Sequence, residues 1–366
     1  MKEKGFLSPY SLFATIVTSV IGLRVFSYAS DVSMFVGNDG WIVILISTII
    51  SFILVYIMYK IVKNSDYKCF SDIINNNFGK AFGAIIGISF IVYNIAYMSI
   101  GLRTFIEEIK IYLLEKTPTE FLVAISILTS IYLIRGNLNS LVKFNEVVFW
   151  LSFIPVIFVL LFTLYKSDFS NLLPVFNNPP DAYIKGTIGT ISRFKGIEIV
   201  FLVLPFVKNR KKTPKVLLKS LAFIGCFYIF ITVLSITMFS KEQTKDLIWP
   251  GITMIKSIDI PGTFVERWDG IVMAIWVLFF FTTFTNSYYF SADIAKDIFK
   301  LKDIKIASAI LVPFIYIVAL YPENVAELSR ISKMIFPILF MINTIIIPIV
   351  LLITSNIKKS RTGTKG

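Results

Sequence analysis

Apolar segments of about 20 residues recur along nearly the whole chain, with only short polar connections between them. A helix of that length crosses the hydrocarbon core of a bilayer, and no stretch remains for a soluble domain. Hydrophobic residues make up 56% of the chain and charged residues 16%. A soluble multidomain protein is a poor explanation for this composition. The sequence therefore predicts an all-α polytopic membrane protein, with residues 1–366 forming a single integral membrane domain.

The apolar segments predict ten transmembrane helices. Residues 72–78 predict a short surface helix, and the amphipathic residues 247–255 are a candidate lid over the entrance. The predicted spans cover residues 11–29, 41–59, 81–106, 121–134, 141–165, 187–205, 221–239, 270–292, 306–320 and 334–353.

The distribution of Lys and Arg predicts the orientation of these spans. With the amino terminus inside, the inner segments hold 22 of the 36 cations and the outer segments hold 11. Cytoplasmic loops carry such an excess, so both termini are predicted to be cytoplasmic, with residues 357–366 as a basic tail. The same rule accounts for the net charge of +13, so no nucleic-acid partner is expected.

Ten spans divide into two sets of five, at about 8–166 and 181–356. An odd number of spans in each half forces the two halves into opposite orientations, which is the 5+5 inverted repeat of many transporters. The first span of each half is interrupted at a corresponding position, by Gly22 and Arg24 in span one and by Arg193, Lys195 and Gly196 in span six. Helices 1 and 6 are therefore predicted to be discontinuous and to mark a binding site.

Each break would expose helix ends near the middle of the membrane. Free N–H groups at the start of a half-helix attract an anion, and unwound carbonyl groups suit an ammonium or a small cation. A zwitterionic amino acid satisfies both, although small ions and other polar solutes fit the same backbone. The predicted backbone contacts are Val20, Gly22 and Leu23 in span one and Ser192, Phe194 and Gly196 in span six.

The charges beside the breaks have two interpretations. Arg24, Arg193 and Lys195 are structural or coupling charges: an Arg–Glu pair could neutralise two charges within the bundle, and Arg193 or Lys195 could instead extend to the outer interface. Glu198 is a candidate ligand contact and, if unpaired, a candidate for protonation coupling.

Polar side chains on two other spans are further candidates. Tyr97 in span three, with Tyr93 and Asn94, and Thr283 and Asn286 in span eight either line the cavity or form hydrogen bonds between helices. The chain has no histidine and only two cysteines. No metal site, cofactor or disulfide framework is therefore predicted.

Several short motifs resemble the B-subunit family of spore germinant receptors, a branch of the amino acid, polyamine and organocation transporter superfamily. They are Asn-Leu-Leu-Pro at 171–174, Gly-Ile-Glu at 196–198, Leu-Pro-Phe at 204–206, Ile-Trp-Pro at 248–250, residues 258–260 and, most specifically, Glu-Arg-Trp-Asp at 266–269. The resemblance extends from Ser8 to about Ser355.

This resemblance implies a LeuT-like fold and a receptor subunit, not an enzyme, in the inner spore membrane of a spore-forming bacterium. The subunit would bind a nutrient germinant, such as an amino acid, beside partner A and C subunits and membrane lipid. Two alternatives are a secondary transporter for an amino acid or polyamine and a channel-like component for ion release.

The sequence departs from the family pattern after the first break. Arg24 follows the glycine where members commonly have small or apolar residues, and Tyr-Ala-Ser at 28–30 replaces a proline. An added cation favours either a more anionic ligand or an ion pair between Arg24 and Glu198.

Overall fold

The computed structural model describes residues 5–22, 24–257 and 268–363, without the side chains of 112, 268–269, 271–272 and 359–363. Helices are the regular elements of these residues, and one isolated β-bridge joins Leu7 to Val207. The first half contains helices α1 (Pro9–Ile21), α2 (Tyr28–Val36), α3 (Gly40–Asn64), α4 (Phe70–Tyr112), α5 (Thr119–Ile134) and α6 (Leu138–Phe162).

The second half begins with α7 (Pro180–Thr190), which leads through a 3₁₀ turn into the second break. After the break, 3₁₀ turns flank α8 (Val200–Val203), and the chain then forms long helices again. These helices are α9 (Thr213–Asp246), α10 (Pro250–Lys256), α11 (Trp268–Ile298), α12 (Ile304–Leu320), α13 (Val325–Phe340) and α14 (Ile347–Gly363), with a π-helical turn, Met341–Ile346, between the last two.

Five of the described helical segments are long and apolar enough to cross a membrane: Tyr28–Asn64, Phe70–Ile111, Leu138–Lys166, Thr213–Asp246 and Val325–Lys358. Shorter apolar helices accompany them, including one half of each interrupted span, Pro9–Ile21 and Ile197–Phe206. The predicted boundaries were too short in two places, because α2 continues to Val36 and α13 begins at Val325. The count of ten spans and the inverted repeat stay predictions.

The surface helix predicted at 72–78 is confirmed as the first part of α4, which bends at Gly79. Gly79 has φ +79°, a conformation that side chains with a Cβ rarely adopt. The candidate lid is also helical. Its helix, α10, lies against the first break through a hydrogen bond from Gly251 N to the Phe26 carbonyl (3.1 Å).

The two inner ends of the broken spans are joined by backbone hydrogen bonds. Leu7 N donates to the Phe206 carbonyl (3.0 Å), and Lys208 N donates to the Leu7 carbonyl (2.9 Å). These bonds hold the chain before α1 against the chain that follows the second half of the other broken span. The two discontinuous elements are therefore fixed to each other at one end.

Asp39 links the first half of the chain to the second half, at the predicted outer end of both. Its buried carboxylate accepts hydrogen bonds from Phe176 N (2.9 Å), Asn178 Nδ2 (2.9 Å) and Tyr183 Oη (2.6 Å). These partners lie in and after the loop that leads into α7, so one carboxylate organises the approach to the second break. Sequence reasoning did not single out Asp39.

Replacement of Asp39 by alanine is expected to lower the free energy of unfolding by about 1–3 kcal/mol, because it removes the shared acceptor of three partly buried hydrogen bonds. Thermal unfolding of the purified protein in detergent measures this loss. The matched control is Asp181→Ala, which removes an exposed carboxylate paired with Lys185 and should change little. Equal effects of the two substitutions would contradict the role assigned to Asp39.

Candidate site at the two helix breaks

The two breaks touch each other through their backbones. Gly196 has φ +112°, and a Cβ at this position would lie 2.2 Å from the Ser19 carbonyl oxygen. Only glycine therefore allows the second break to approach α1 this closely. Tyr228 on α9 reinforces the contact, because its hydroxyl lies 3.2 Å from the Val20 carbonyl oxygen and 3.3 Å from that of Arg193.

Lys195 is the centre of a buried polar cluster at the second break. Its side chain is 1% exposed, and Nζ lies 2.8 Å from Glu198 Oε1. Nζ also donates to Asn94 Oδ1 (2.7 Å) and to Ser287 Oγ (3.0 Å). The ammonium therefore has a carboxylate and two neutral acceptors, which compensates for its removal from water.

Two tyrosine rings complete the surroundings of this ammonium. Nζ lies 4.7 Å from the centroid of Tyr97 and 5.2 Å from that of Tyr93. Cation–π attraction of this kind is strongest where water is excluded. The polar stripe recognised in span three, including Asn94, thus lies against Lys195.

Glu198 also occupies the start of the half-helix that follows the break. Its Oε2 accepts a hydrogen bond from Gly196 N at 3.0 Å. The expectation that this N–H is free for a ligand anion is therefore wrong, because the chain supplies its own carboxylate there. An Arg24–Glu198 pair is also absent from the described residues, since Glu198 pairs with Lys195. Extension of Lys195 to the outer interface is likewise wrong.

The polar residues of span eight bind helix α1. The Thr283 hydroxyl donates to the Thr18 carbonyl (2.6 Å), and Asn286 Nδ2 donates to Ser19 Oγ (2.8 Å). These contacts match the inter-helix interpretation. Gly22 belongs to the same contact, because a Cβ there would lie 1.8 Å from Thr283 Oγ1. Of the predicted contacts, Leu23 lies outside the described residues.

Phe194 separates the polar cluster around Lys195 from the outer side of the protein. Its buried ring packs edge-to-face on Tyr228, with ring centroids 5.5 Å apart, and on Tyr28, 6.5 Å apart. Ser192 and Arg193, on the other side of this ring in sequence, instead line a cavity at the predicted outer end, which is called the outer cavity below. The predicted residues of span six therefore divide between two environments.

The outer cavity consists of two adjoining spaces of about 170 and 190 Å³. Both are lined by residues from the two breaks, Arg24 and Arg193, and by Ser332 on α13. Arg193 forms an ion pair with Asp31 in the first turn of α2. Arg24 Nη2 donates to Ser332 Oγ (2.7 Å), and its guanidinium lies 4.6 Å from the ring centroid of Phe336.

Aromatic rings connect the outer cavity to the buried cluster. Phe336, which Arg24 covers, lies 5.2 Å from Tyr97 between ring centroids. Tyr97 in turn contacts the ammonium of Lys195. A movement of Arg24 can therefore be transmitted to the second break through packed side chains.

A second and larger cavity of about 860 Å³ opens at the opposite, predicted cytoplasmic end. It is lined by polar residues that include Asp72, Asp293 and Lys296. Burial, together with the nearby carboxylates of Asp293 and Asp72, raises the pKa of the Cys69 thiol in this cavity to about 11. Phe70, which follows the cavity residue Cys69, belongs to a cluster of four packed rings with Phe90, Phe201 and Phe290.

Sequence reasoning missed three contributors to the outer side of the site, namely Tyr228, Ser332 and Phe336. A signal existed for the last two. Residues 328, 332, 336 and 340 are buried and repeat every four positions along α13, which is the pattern of a helix face turned inward. Nothing in the local sequence distinguishes Tyr228 from the other tyrosines.

Comparison with protein families decides what kind of protein carries this site. A family model described as "Spore germination protein" matches residues 6–328. The chain belongs to this family. The match covers both breaks and the residues that surround Lys195, which confirms the resemblance inferred from the short motifs.

Characterised members of the spore germination family are similar over most of their length. Spore germination protein A2 of Bacillus subtilis (strain 168) is 28% identical over 299 residues, 80% of each chain. Spore germination protein YndE of the same organism is 27% identical over 286 residues, 78% of each chain. Spore germination protein GerQB of Bacillus cereus is 25% identical over 359 residues, covering 97% of this chain and 98% of the relative.

A solved structure shows the same fold. A Na⁺-coupled sialic acid symporter in a substrate-bound outward-open state aligns with a TM-score of 0.67, covering 94% of this chain and 80% of the symporter at 12% sequence identity. The fold is therefore LeuT-like and all-helical, as the resemblance implied. Family and fold together identify a transporter-like integral membrane protein that is not an enzyme.

Proposed function

We propose that this chain is the transporter-like subunit of a nutrient germinant receptor, and that it binds a small germinant of the amino acid class at the breaks of helices 1 and 6. The observation that carries the proposal is the outer cavity, which Arg24 from the first break and Ser192 and Arg193 from the second break line together. In a spore germination protein, a solute-sized space between two discontinuous helices fits ligand sensing.

Ligand binding would act by shifting a conformational equilibrium. A solute in the outer cavity would contact residues of both breaks. Binding therefore favours whichever arrangement of the two breaks fits the solute best. Partner A and C subunits in the inner spore membrane would read that arrangement and begin germination.

A germination screen tests this function. Spores of a deletion strain and of the complemented strain are exposed to single amino acids, sugars and salts, and loss of optical density is recorded. The proposal expects the deletion to abolish the response to a small set of nutrients and the complementing gene to restore it. Unchanged responses to every nutrient in spores that carry no second receptor would contradict it.

Secondary transport is the second candidate function, and the inner cavity of about 860 Å³ favours it. A transporter needs a path to the cytoplasmic side, and a polar cavity at that predicted end could form part of one. Uptake of the labelled germinant by the purified chain in liposomes distinguishes the two functions. Net uptake without partners favours a transporter, whereas binding without uptake favours a receptor.

A further inference from the structure

We propose that the germinant carries a net negative charge and that Arg24 binds its carboxylate in the outer cavity. This inference rests on the proposed function and specifies the class of solute. It follows from which charged groups around the two breaks have an ion-pair partner and which do not.

Arg24 is a cation without a carboxylate partner among the described residues. Its guanidinium, with five N–H groups, donates to a single side chain, the hydroxyl of Ser332. Two acids, Asp31 and Asp246, line the cavity, and Asp31 is already paired with Arg193. A partly buried guanidinium in this state favours a carboxylate, because the two groups form parallel charge-assisted hydrogen bonds.

Other groups around the same space also favour an anion. Arg193 has a buried nitrogen, Nη1, with no hydrogen-bond partner in the described part of the chain. Lys333 lines both spaces and is not in an ion pair there. Ser27 lines one of the spaces at the start of α2, where no side chain caps the helix. Asp31 is therefore surrounded by more positive charge than it neutralises.

Two carbonyl groups at the breaks that would suit an ammonium are already engaged. The carbonyl groups of Val20 and Arg193, one at each break, both lie within hydrogen-bond distance of the Tyr228 hydroxyl. The acceptors deeper in the bundle hold the chain's own ammonium, that of Lys195. A ligand thus gains from a carboxylate at Arg24 and gains little from an amine placed at these acceptors.

The test compares solutes that have the same shape and different charge. The full-length protein in nanodiscs is titrated with L-aspartate and L-asparagine, then with L-glutamate and L-glutamine. Binding is followed by intrinsic tryptophan fluorescence, to which Trp249 in the lining of the outer cavity contributes. The expected result is that at least one anion binds about tenfold to a hundredfold more tightly than its amide. Potassium chloride at equal ionic strength should not compete.

Substitutions assign the preference to Arg24. Arg24→Gln should reduce the affinity for the anion about tenfold or more and leave that for the amide nearly unchanged, whereas Arg24→Lys should keep part of the preference. The matched control is Lys110→Gln, which removes another partly buried cation held by one hydroxyl, that of Thr119. It should leave both affinities unchanged. If Arg24→Gln does not fold, the Arg24→Lys and wild-type series still measure the preference.

Three results would overturn the inference, and they are distinguishable. Equal binding of acid and amide contradicts the anionic ligand and leaves the proposed function intact. Competition by chloride means that Arg24 binds simple anions instead of a carboxylate solute. Failure of every solute in the germination screen to bind the protein contradicts the proposed function as well.

Discussion

Replacement of Lys195 by methionine should lower the free energy of unfolding by about 3–5 kcal/mol, because it leaves Glu198 as an uncompensated buried charge. The hydroxyl of Ser287 and the amide of Asn94 would also lose their partner. Thermal unfolding of the purified protein in detergent measures the loss. The expected result is a large drop in melting temperature or failure to accumulate in the membrane.

A double substitution separates the charge from the packing. Lys195→Met with Glu198→Gln removes both charges, so it should recover most of the stability lost in the single variant. Lys185→Met is the control for an exposed ion pair, with Asp181, and should have little effect. A single variant as stable as the wild type would contradict the neutralising role of Lys195. A normal germinant response in the stable double variant would show that the pair is structural.

Replacement of Gly196 by alanine should abolish the germinant response. The residue has φ +112°, and the new Cβ would lie 2.2 Å from the Ser19 carbonyl oxygen. Backbone strain of about 1–3 kcal/mol adds to the displacement of α1 from the second break. Germination of spores that carry the variant measures the response, and immunoblotting of spore membranes measures its level.

Gly79→Ala is the matched control for the strain alone. Gly79 also has a positive φ, +79°, but a Cβ there would meet no atom within 4 Å. This variant should lose about 1–3 kcal/mol of stability and keep its response. Loss of the response in both variants to the same extent would show that left-handed backbone, and not the contact with α1, explains the effect.

The breaks could be predicted from the sequence because their signals are local. A glycine beside ionisable residues inside an apolar span conflicts with a continuous lipid-facing helix, and this conflict occurs at both Gly22 and Gly196. The predicted discontinuities lie where α1 ends at Ile21 and where α7 ends at Thr190. The membrane class and the all-helical fold followed from hydrophobic periodicity in the same way.

The partners of the charges could not be predicted, because they depend on how distant helices pack. Arg24 and Ser332 are separated by 308 residues, and Arg193 and Asp31 by 162. The Lys195–Glu198 pair is different, since three residues separate its members and a local signal was present. The interpretation of Glu198 as an unpaired acid overlooked this nearest cation. Sequence alone gave no means of choosing between the ligand-lining and inter-helix roles of Thr283 and Asn286.

The most direct test of the account locates the germinant. Ser192 lines the outer cavity, and the protein has only two cysteines, Cys69 and Cys226, to remove first. In this background, Ser192→Cys is labelled with a charged maleimide in the presence of the germinant found by the screen, with the exposed Tyr165→Cys as control. The account predicts that the germinant slows labelling at residue 192 and not at residue 165. Equal labelling rates at residue 192 with and without a saturating, active germinant would contradict a binding site between the breaks.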